Sequence, residues 1–321
     1  MPQPPRPTID DVRAAAERIA PYVHRTPVHT CRSIDAMTRA SLAFKCDNFQ
    51  KCGAFKIRGA TNAVFSLTDE EAARGVVTHS SGNHAAALSL AGSWRGIQVY
   101  VVMPSDAPAI KQAAVRSYGG QITFCEPTLA ARQSTADQII ERTGATLIHP
   151  YDDHRIIAGQ GTAALELLED RPNLDVIVTP VGGGGLLSGT LIAAKALKPG
   201  IRVIAVEPAR VDDAYRSMQS GRIEPNERID TIADGLRTTL GEKTLPIIRE
   251  LVDDIVLVDE HEIAAALRVV LERMKIVIEP SSAVPLAALL SGKLDLSGQR
   301  VGIHFGGGNV DLDKLPAILA T

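Results

Sequence analysis

Eight short apolar segments, residues 75–78, 99–103, 121–125, 146–149, 176–179, 203–206, 255–258 and 301–305, alternate with longer Ala-rich stretches of helical period. Within residues 260–274, for example, Ile263, Leu267, Val270, Leu271 and Met274 fall on one helical face. Strands this short and this apolar are buried on both faces, and helices between consecutive strands supply the cover. The chain is therefore expected to be an α/β protein with parallel sheets covered on both sides. Its 321 residues are enough for two modest domains, and no repeat, low-complexity tract or long linker marks a boundary.

One strand–helix junction stands apart. Residues 180–189 read Pro-Val-Gly-Gly-Gly-Gly-Leu-Leu-Ser-Gly, between the strand at 176–179 and an apolar helix from Leu186 to Leu197. Four adjacent glycines cost backbone entropy, so a close backbone approach is expected to offset it. A strand, a glycine run and a helix N-terminus gather free N–H groups around one point, an arrangement suited to phosphate. A P-loop would need Lys and Ser/Thr where Leu186 and Leu187 stand, and a dinucleotide fingerprint would need Gly or Ala at Leu187. Glu207, about twenty residues on, keeps a nucleotide as a weaker alternative. A smaller phosphorylated cofactor fits better.

Composition narrows the remaining classes. A formal net charge of −3 gives no basic field for nucleic acid, and 4% aromatic residues give no base-stacking platform. No apolar run approaches the roughly 18 residues of a membrane span. The start, Met-Pro-Gln-Pro-Pro-Arg-Pro, reads as a polar leader without a signal-peptide core, so the cytoplasm is the expected location. Cys31, Cys46, Cys52 and Cys125 lack Cys-x-x-Cys spacing, which leaves zinc and redox motifs unsupported.

Two further segments carry chemistry. Thr78-His79-Ser80-Ser81-Gly82-Asn83-His84 joins a strand to the helix expected from Ala85 to Trp94. Capping explains one polar residue at a helix start, whereas this density suits a carboxylate held by N–H groups and hydroxyls. In Lys51-Cys52-Gly53-Ala54-Phe55-Lys56-Ile57-Arg58-Gly59-Ala60, Lys56 lies between apolar residues. Such a lysine is usually a snorkelling surface group. Partly desolvated beside a carbonyl-bearing cofactor, it can instead form a Schiff base.

Taken in order, Phe55-Lys56-Ile57-Arg58-Gly59-Ala60, Ser80-Ser81-Gly82-Asn83-His84, Ala158-Gly159-Gln160-Gly161-Thr162, the glycine run, Ile232-Ala233-Asp234-Gly235, Ile278-Glu279-Pro280-Ser281 and Gly306-Gly307-Gly308-Asn309-Val310-Asp311 resemble the fold-type II pyridoxal-phosphate enzymes. The specific resemblance is to the serine/threonine dehydratase, serine racemase and 3-hydroxyaspartate dehydratase family, and it covers nearly the whole chain. It implies two open, twisted, mainly parallel sheets. Residues 1–73 and 152–321 would form a large cofactor-binding domain, and residues 74–151 a small substrate-side domain. It also implies a homodimer.

The roles it implies are specific. Lys56 would hold pyridoxal 5′-phosphate as a Schiff base and then act as the Cα base. Phe55 would pack on the ring, and Asn83 would bond its phenolic oxygen. Gly182, Gly183, Gly184, Gly185 and Leu186 would offer N–H groups to the phosphate. Gly235, Glu279 and Gly306 would complete the cofactor pocket. Ser80, Ser81, Asn83 and His84 would surround the substrate carboxylate, with Ser81 exchanging a proton on the opposite face in the racemases. Glu207, the Val211 carbonyl and Asp213 would hold a divalent cation, Mg²⁺ or alternatively Ca²⁺ or Mn²⁺.

The implied reaction removes water and then ammonia from a small β-hydroxy-α-amino acid, giving a 2-oxo acid. Racemisation is the alternative, and a non-catalytic cofactor-binding regulator is the rival of another class. Three positions depart from the family pattern. Gly306 stands where Ser or Thr often meets the pyridine nitrogen, Ala54 replaces a common Ser, and Cys52 replaces Thr or Pro. For an acidic substrate such as 3-hydroxyaspartate the second carboxylate needs a cation, and Arg132 is the candidate, on a wall shared with His149 and Tyr151. A surface ion pair on a helix is the equal alternative for Arg132.

Overall fold

The computed structural model describes residues 6–80, 82–107 and 109–321. Its strands are β1 (Val28–His29), β2 (Ser41–Cys46), β3 (Val76–His79), β4 (Val99–Pro104), β5 (Gln121–Cys125), β6 (Thr146–Leu147), β7 (Val176–Pro180), β8 (Arg202–Pro208), β9 (Asp254–Val258) and β10 (Arg300–Phe305). Among the described residues they form a six-stranded sheet of order β1-β2-β10-β7-β8-β9 and a four-stranded sheet of order β5-β4-β3-β6. Every pairing is parallel except β1 with β2.

The alternation of side chains along β7 explains why it reads as uniformly apolar. Val176 and Val178 face a layer containing Ile263, Leu267, Val284 and Leu286. Ile177 faces the other layer, with Leu187, Leu191, Leu245 and Ile248. Both faces of the sheet are thus dry, as parallel strands require.

β1 and β2 fall outside the expected strands. Lys45 breaks the apolar pattern of β2, yet it is buried, donating to the Thr26 carbonyl at 2.7 Å and to Glu166. β6 ends at Leu147 rather than His149, because the His149 ring accepts the Asp152 N–H at 2.9 Å and turns the chain outward. Two helices begin earlier than expected, at Asn83 and Gly185.

Three helices set the relative positions of the functional segments. Helix His154–Asp170 packs against both helix Lys56–Phe65 and helix Gly185–Leu197. Glycines permit both crossings: a Cβ on Gly159 would lie 2.6 Å from the Gly59 Cα, and one on Gly189 would lie 2.4 Å from the Ile157 carbonyl. The helix that starts with Lys56 and the helix that starts from the glycine run therefore rest on one common support.

Candidate active site

Lys56 is the first residue of its helix, and its half-buried amine donates to the Pro150 carbonyl at 2.9 Å. Burial lowers its pKa to about 8, against the nearby Glu279 carboxylate, which acts to raise it. A lysine in this range reaches its neutral form far more readily than a surface one, which suits a base or a nucleophile. The amine lies 5.2 Å from the Phe55 ring centroid. Phe55 is held by its N–H on the Gly306 carbonyl at 2.8 Å. A Cβ on Gly306 would come within 3.1 Å of the Phe55 ring, so the missing hydroxyl at this position goes with a tight fit.

The glycine run forms a buried turn that opens a helix. Gly184 adopts the left-handed region (φ +86°) and caps helix Gly185–Leu197. Residues 181–190 are buried. Among the described residues, the N–H groups of Gly182, Gly183, Gly184, Gly185 and Leu186 find no acceptor within the chain. Buried donors of this kind need an anion or water. Side chains cannot substitute for the glycines: a Cβ on Gly183 would lie 2.3 Å from the Tyr151 ring.

Asn83 is the first residue of helix Asn83–Arg95. Its Nδ2 donates to Glu279 at 3.0 and 3.3 Å, and its Oδ1 accepts from Asn309 at 3.0 Å. Burial raises Glu279 to about 7, with the Asn83 bond opposing the rise. Gly235 and Gly307 flank this carboxyl: a Cβ there would lie 3.6 Å and 2.9 Å from it, respectively. Ser80 accepts the Gly82 N–H at 3.3 Å. Ser81, expected beside it, lies outside the described residues.

His84 is buried, and its Nε2 lies 3.3 Å from the Ile148 carbonyl. A carbonyl only accepts, so Nε2 carries the proton and the unpartnered Nδ1 is a bare acceptor. Burial and then the Lys56 charge hold His84 well below its ordinary pKa. It therefore offers no positive charge to a substrate carboxylate.

Arg132, on helix Leu129–Thr143, makes no ion pair among the described residues, and its Nε is buried without a partner. Its charge, after burial, lowers the pKa of His79. His79 packs edge-on to His149 at 5.3 Å, and His149 packs on Tyr151 at 4.6 Å. Among the described residues the helix-surface ion pair considered for Arg132 is not formed.

Glu207 is the penultimate residue of β8 and Asp213 begins the next helix, and both are fully buried. Glu207 accepts the N–H groups of Ala214 and Tyr215 at 3.0 and 2.9 Å, while Asp213 accepts that of Leu240 at 2.9 Å. Burial, then the Asp213 charge, pushes Glu207 well above the usual carboxylate range; burial raises Asp213 to about 7. Among the described residues one Asp213 oxygen has no partner. Two buried, mutually repelling carboxyls and the buried Val211 beside them match an oxygen-ligand cation site in type. No group of three or more His, Cys, Asp and Glu side chains capable of holding a metal occurs among the described residues, so a main-chain carbonyl would have to contribute.

The sequence reading missed a buried ionic cluster beneath Lys56. Arg58 donates to both Asp47 oxygens at 2.8 Å and to both Glu166 oxygens at 2.7 and 2.9 Å. His304 joins Asp47 at 3.1 Å and touches the Phe55 ring edge-on at 6.0 Å. Burial alone would raise Asp47; Arg58 and His304 outweigh it and hold the carboxyl well below its usual range. The partners stand 11 and 108 positions from Arg58, so no local spacing announces them.

A lysine of lowered pKa, an aromatic ring beside it and a cradle of unpaired N–H groups define an enzyme site for a phosphorylated carbonyl cofactor. The chain belongs to the pyridoxal-phosphate dependent enzyme family, whose description matches residues 19–307. It is 53% identical over 318 residues to a serine racemase of Dictyostelium discoideum, covering 97% of this chain and 98% of the relative. It is 50% identical over 310 residues to a beta-hydroxyaspartate dehydratase of Paracoccus denitrificans (strain Pd 1222), with the same coverage of both chains. The crystal structure of a T.th. threonine deaminase superposes with a TM-score of 0.90 at 43% identity, covering 95% of this chain and 99% of that one.

Proposed function

We propose that the chain is an ammonia-lyase that removes water and then ammonia from a small β-hydroxy-α-amino acid, either serine or threonine or 3-hydroxyaspartate. The observation that carries this reading is Lys56: its amine, of lowered pKa, lies near enough to His84 in the first turn of helix Asn83–Arg95 for its charge to act there, and its helix shares a support with the phosphate cradle. The cradle's unpaired buried N–H groups fit the cofactor's phosphate; Phe55 would pack on its ring and Asn83 would donate to its phenolic oxygen. Pyridoxal phosphate, when bound, draws electrons from the substrate Cα and makes that proton removable by a moderate base.

The chain's own groups then divide the work. The loop at residues 80–83 holds the carboxylate and fixes the Cα–H bond toward Lys56. The Lys56 amine takes the Cα proton. The β-hydroxyl departs as water, with its second proton supplied from the Lys56 ammonium. The released enamine tautomerises to an imine, adds water and loses ammonia, leaving the 2-oxo acid. A serine racemase is the second reading, favoured by the Dictyostelium relative's name; by the family resemblance Ser81 would be the proton donor on the other face.

The same reading includes a divalent cation at Glu207, Val211 and Asp213, a cytoplasmic location, and a division into residues 1–73 with 152–321 and residues 74–151. Among the described residues no helix is long and apolar enough to cross a membrane. It also includes a homodimer, supported by the exposed side chains of Phe49 and Val277 on segments joined by the Asn48 bond to the Val277 carbonyl. Absorption spectroscopy, with borohydride fixation onto Lys56, tests the cofactor. Ammonia release and chiral analysis across serine, threonine and the 3-hydroxyaspartate stereoisomers test the reaction. A colourless protein that Lys56→Ala leaves unchanged in activity would sink the proposal.

A further inference from the structure

The segment that returns the chain from the four-stranded sheet, residues 149–153, touches both ends of the site. Pro150 accepts the Lys56 amine at 2.9 Å. Its neighbour Tyr151 lies flat against the cradle, within 2.3 Å of a Cβ placed on Gly183 and 3.0 Å of one on Gly185. Asp152 then reaches 90 or more positions ahead. Its carboxylate accepts the N–H groups of Glu242, Lys243 and Thr244 at 3.1, 2.8 and 3.3 Å. Gly241 lets it approach, since a Cβ there would meet the Asp152 carboxyl carbon at 2.3 Å.

The turn that Asp152 fixes is in turn fastened to the cradle. The buried Thr244 hydroxyl donates to the Gly183 carbonyl at 2.9 Å and accepts the Gly241 N–H at 2.8 Å. Gly184 is positioned against the same residue, with a Cβ on it 2.9 Å from Thr244. A carboxylate holding three N–H groups is a strong, charge-assisted clamp, and it acts here on the segment that sets the Gly183 peptide. Simple capping of helix Thr244–Leu251 would need neither the Tyr151 wall nor the Thr244 bond to Gly183. The helix supplies no side-chain cap of its own at Lys243.

We infer that Asp152, acting through Thr244, is a positioning residue for the phosphate cradle, and that residues 149–153 set the spacing between Lys56 and the bound phosphate. This inference rests on the cofactor reading given above. Asp152 and Thr244 would act on the cofactor through the backbone they hold rather than by touching it.

The test uses the full chain, stripped of pyridoxal phosphate and titrated with it. Asp152→Asn keeps the shape but places an amide against three N–H donors, so affinity for pyridoxal phosphate is expected to fall at least roughly tenfold. The ³¹P resonance of the bound phosphate is expected to shift. Thr244→Val is expected to do the same, and Thr244→Ser, which keeps the hydroxyl, to restore both readouts. Variants that lower the melting temperature of the stripped protein yet bind the cofactor as tightly, with an unmoved ³¹P line, would overturn the inference. If Asp152→Asn does not fold, the Thr244 pair decides: loss with Val and recovery with Ser supports it, and two unchanged affinities overturn it. A wild-type chain that takes up no pyridoxal phosphate overturns the cofactor reading as well, which separates the two failures.

Discussion

Asn83 and Glu279, 196 positions apart, meet through the Asn83 amide, which donates to both carboxylate oxygens at 3.0 and 3.3 Å. The bond ties the polar helix start beside the four-stranded sheet to the start of helix Pro280–Leu290 behind the six-stranded one. It also fixes the orientation of Asn83, because Asn309 occupies the amide oxygen at 3.0 Å. Glu279 is thus an orienting group for Asn83 and a negative charge near Lys56.

Replacing Glu279 with Gln keeps an acceptor for Asn83 and removes the charge. That charge raises the Lys56 pKa against burial, so its removal lets the amine fall further below about 8. In the proposed reaction the neutral amine is the active form, so the acid limb of the kcat profile is expected to move to lower pH. Initial rates from pH 5 to 9 check this, and an acid limb moved upward would contradict the coupling.

Arg58→Ala takes the guanidinium away from the buried Asp47 carboxylate, leaving it only the Thr26 and His304 contacts, and leaves the part-buried Glu166 with Lys45 alone. Breaking one side of a buried ionic cluster costs about 3–5 kcal/mol, much of it from the charge left behind. Urea denaturation of the cofactor-free chain is expected to show a loss of that size. Arg58→Lys is expected to recover only part of it, because a single ammonium cannot reach both carboxylates in the forked geometry.

The sequence reveals the parts of the site that are contiguous. The glycine run, Lys56 and the Ser80 to His84 loop each sit at a strand–helix or loop–helix junction, and local residue chemistry is enough to single them out. What is not legible is assembled across the fold. The Arg58 cluster draws on β2, β10 and helix His154–Asp170, and the Asp152 clamp joins residues 90 or more positions apart. β2 is hidden for a related reason. Its Lys45 looks like a surface residue until the Glu166 partner, 121 positions away, is in place.

The Glu207–Asp213 pair makes stability depend on pH in the unusual direction for carboxylates. Both folded pKa values lie above their ordinary ones, Asp213 at about 7, so the folded state binds more protons than the unfolded chain between about pH 4 and 7. Their contribution is least unfavourable below that window and worsens as pH rises through it. Chelator-treated protein is expected to lose melting temperature from pH 5 to 8 through these groups. Millimolar Mg²⁺ or Ca²⁺ is expected to offset the loss, and Asp213→Asn to flatten the slope and abolish the cation response. Thermal melts across pH with and without cation check this.

Arg132 separates the candidate substrates. Among the described residues its guanidinium Nε is buried without a partner, beside a His79 whose pKa is lowered by burial and then by the Arg132 charge. A half-buried guanidinium with an unpartnered Nε on this wall would gain from a second carboxylate, which 3-hydroxyaspartate carries and serine lacks. Arg132→Ala is therefore expected to lower kcat/KM for 3-hydroxyaspartate by roughly 10- to 100-fold, the worth of a charged hydrogen bond. Turnover of serine should stay within a few-fold of wild type. Arg132→Lys, with a point charge in place of the fork, should fall between the two on the acidic substrate. Equal losses on both substrates would instead make Arg132 a structural support for the wall formed by His79, His149 and Tyr151, and no loss on either would place the second carboxylate elsewhere.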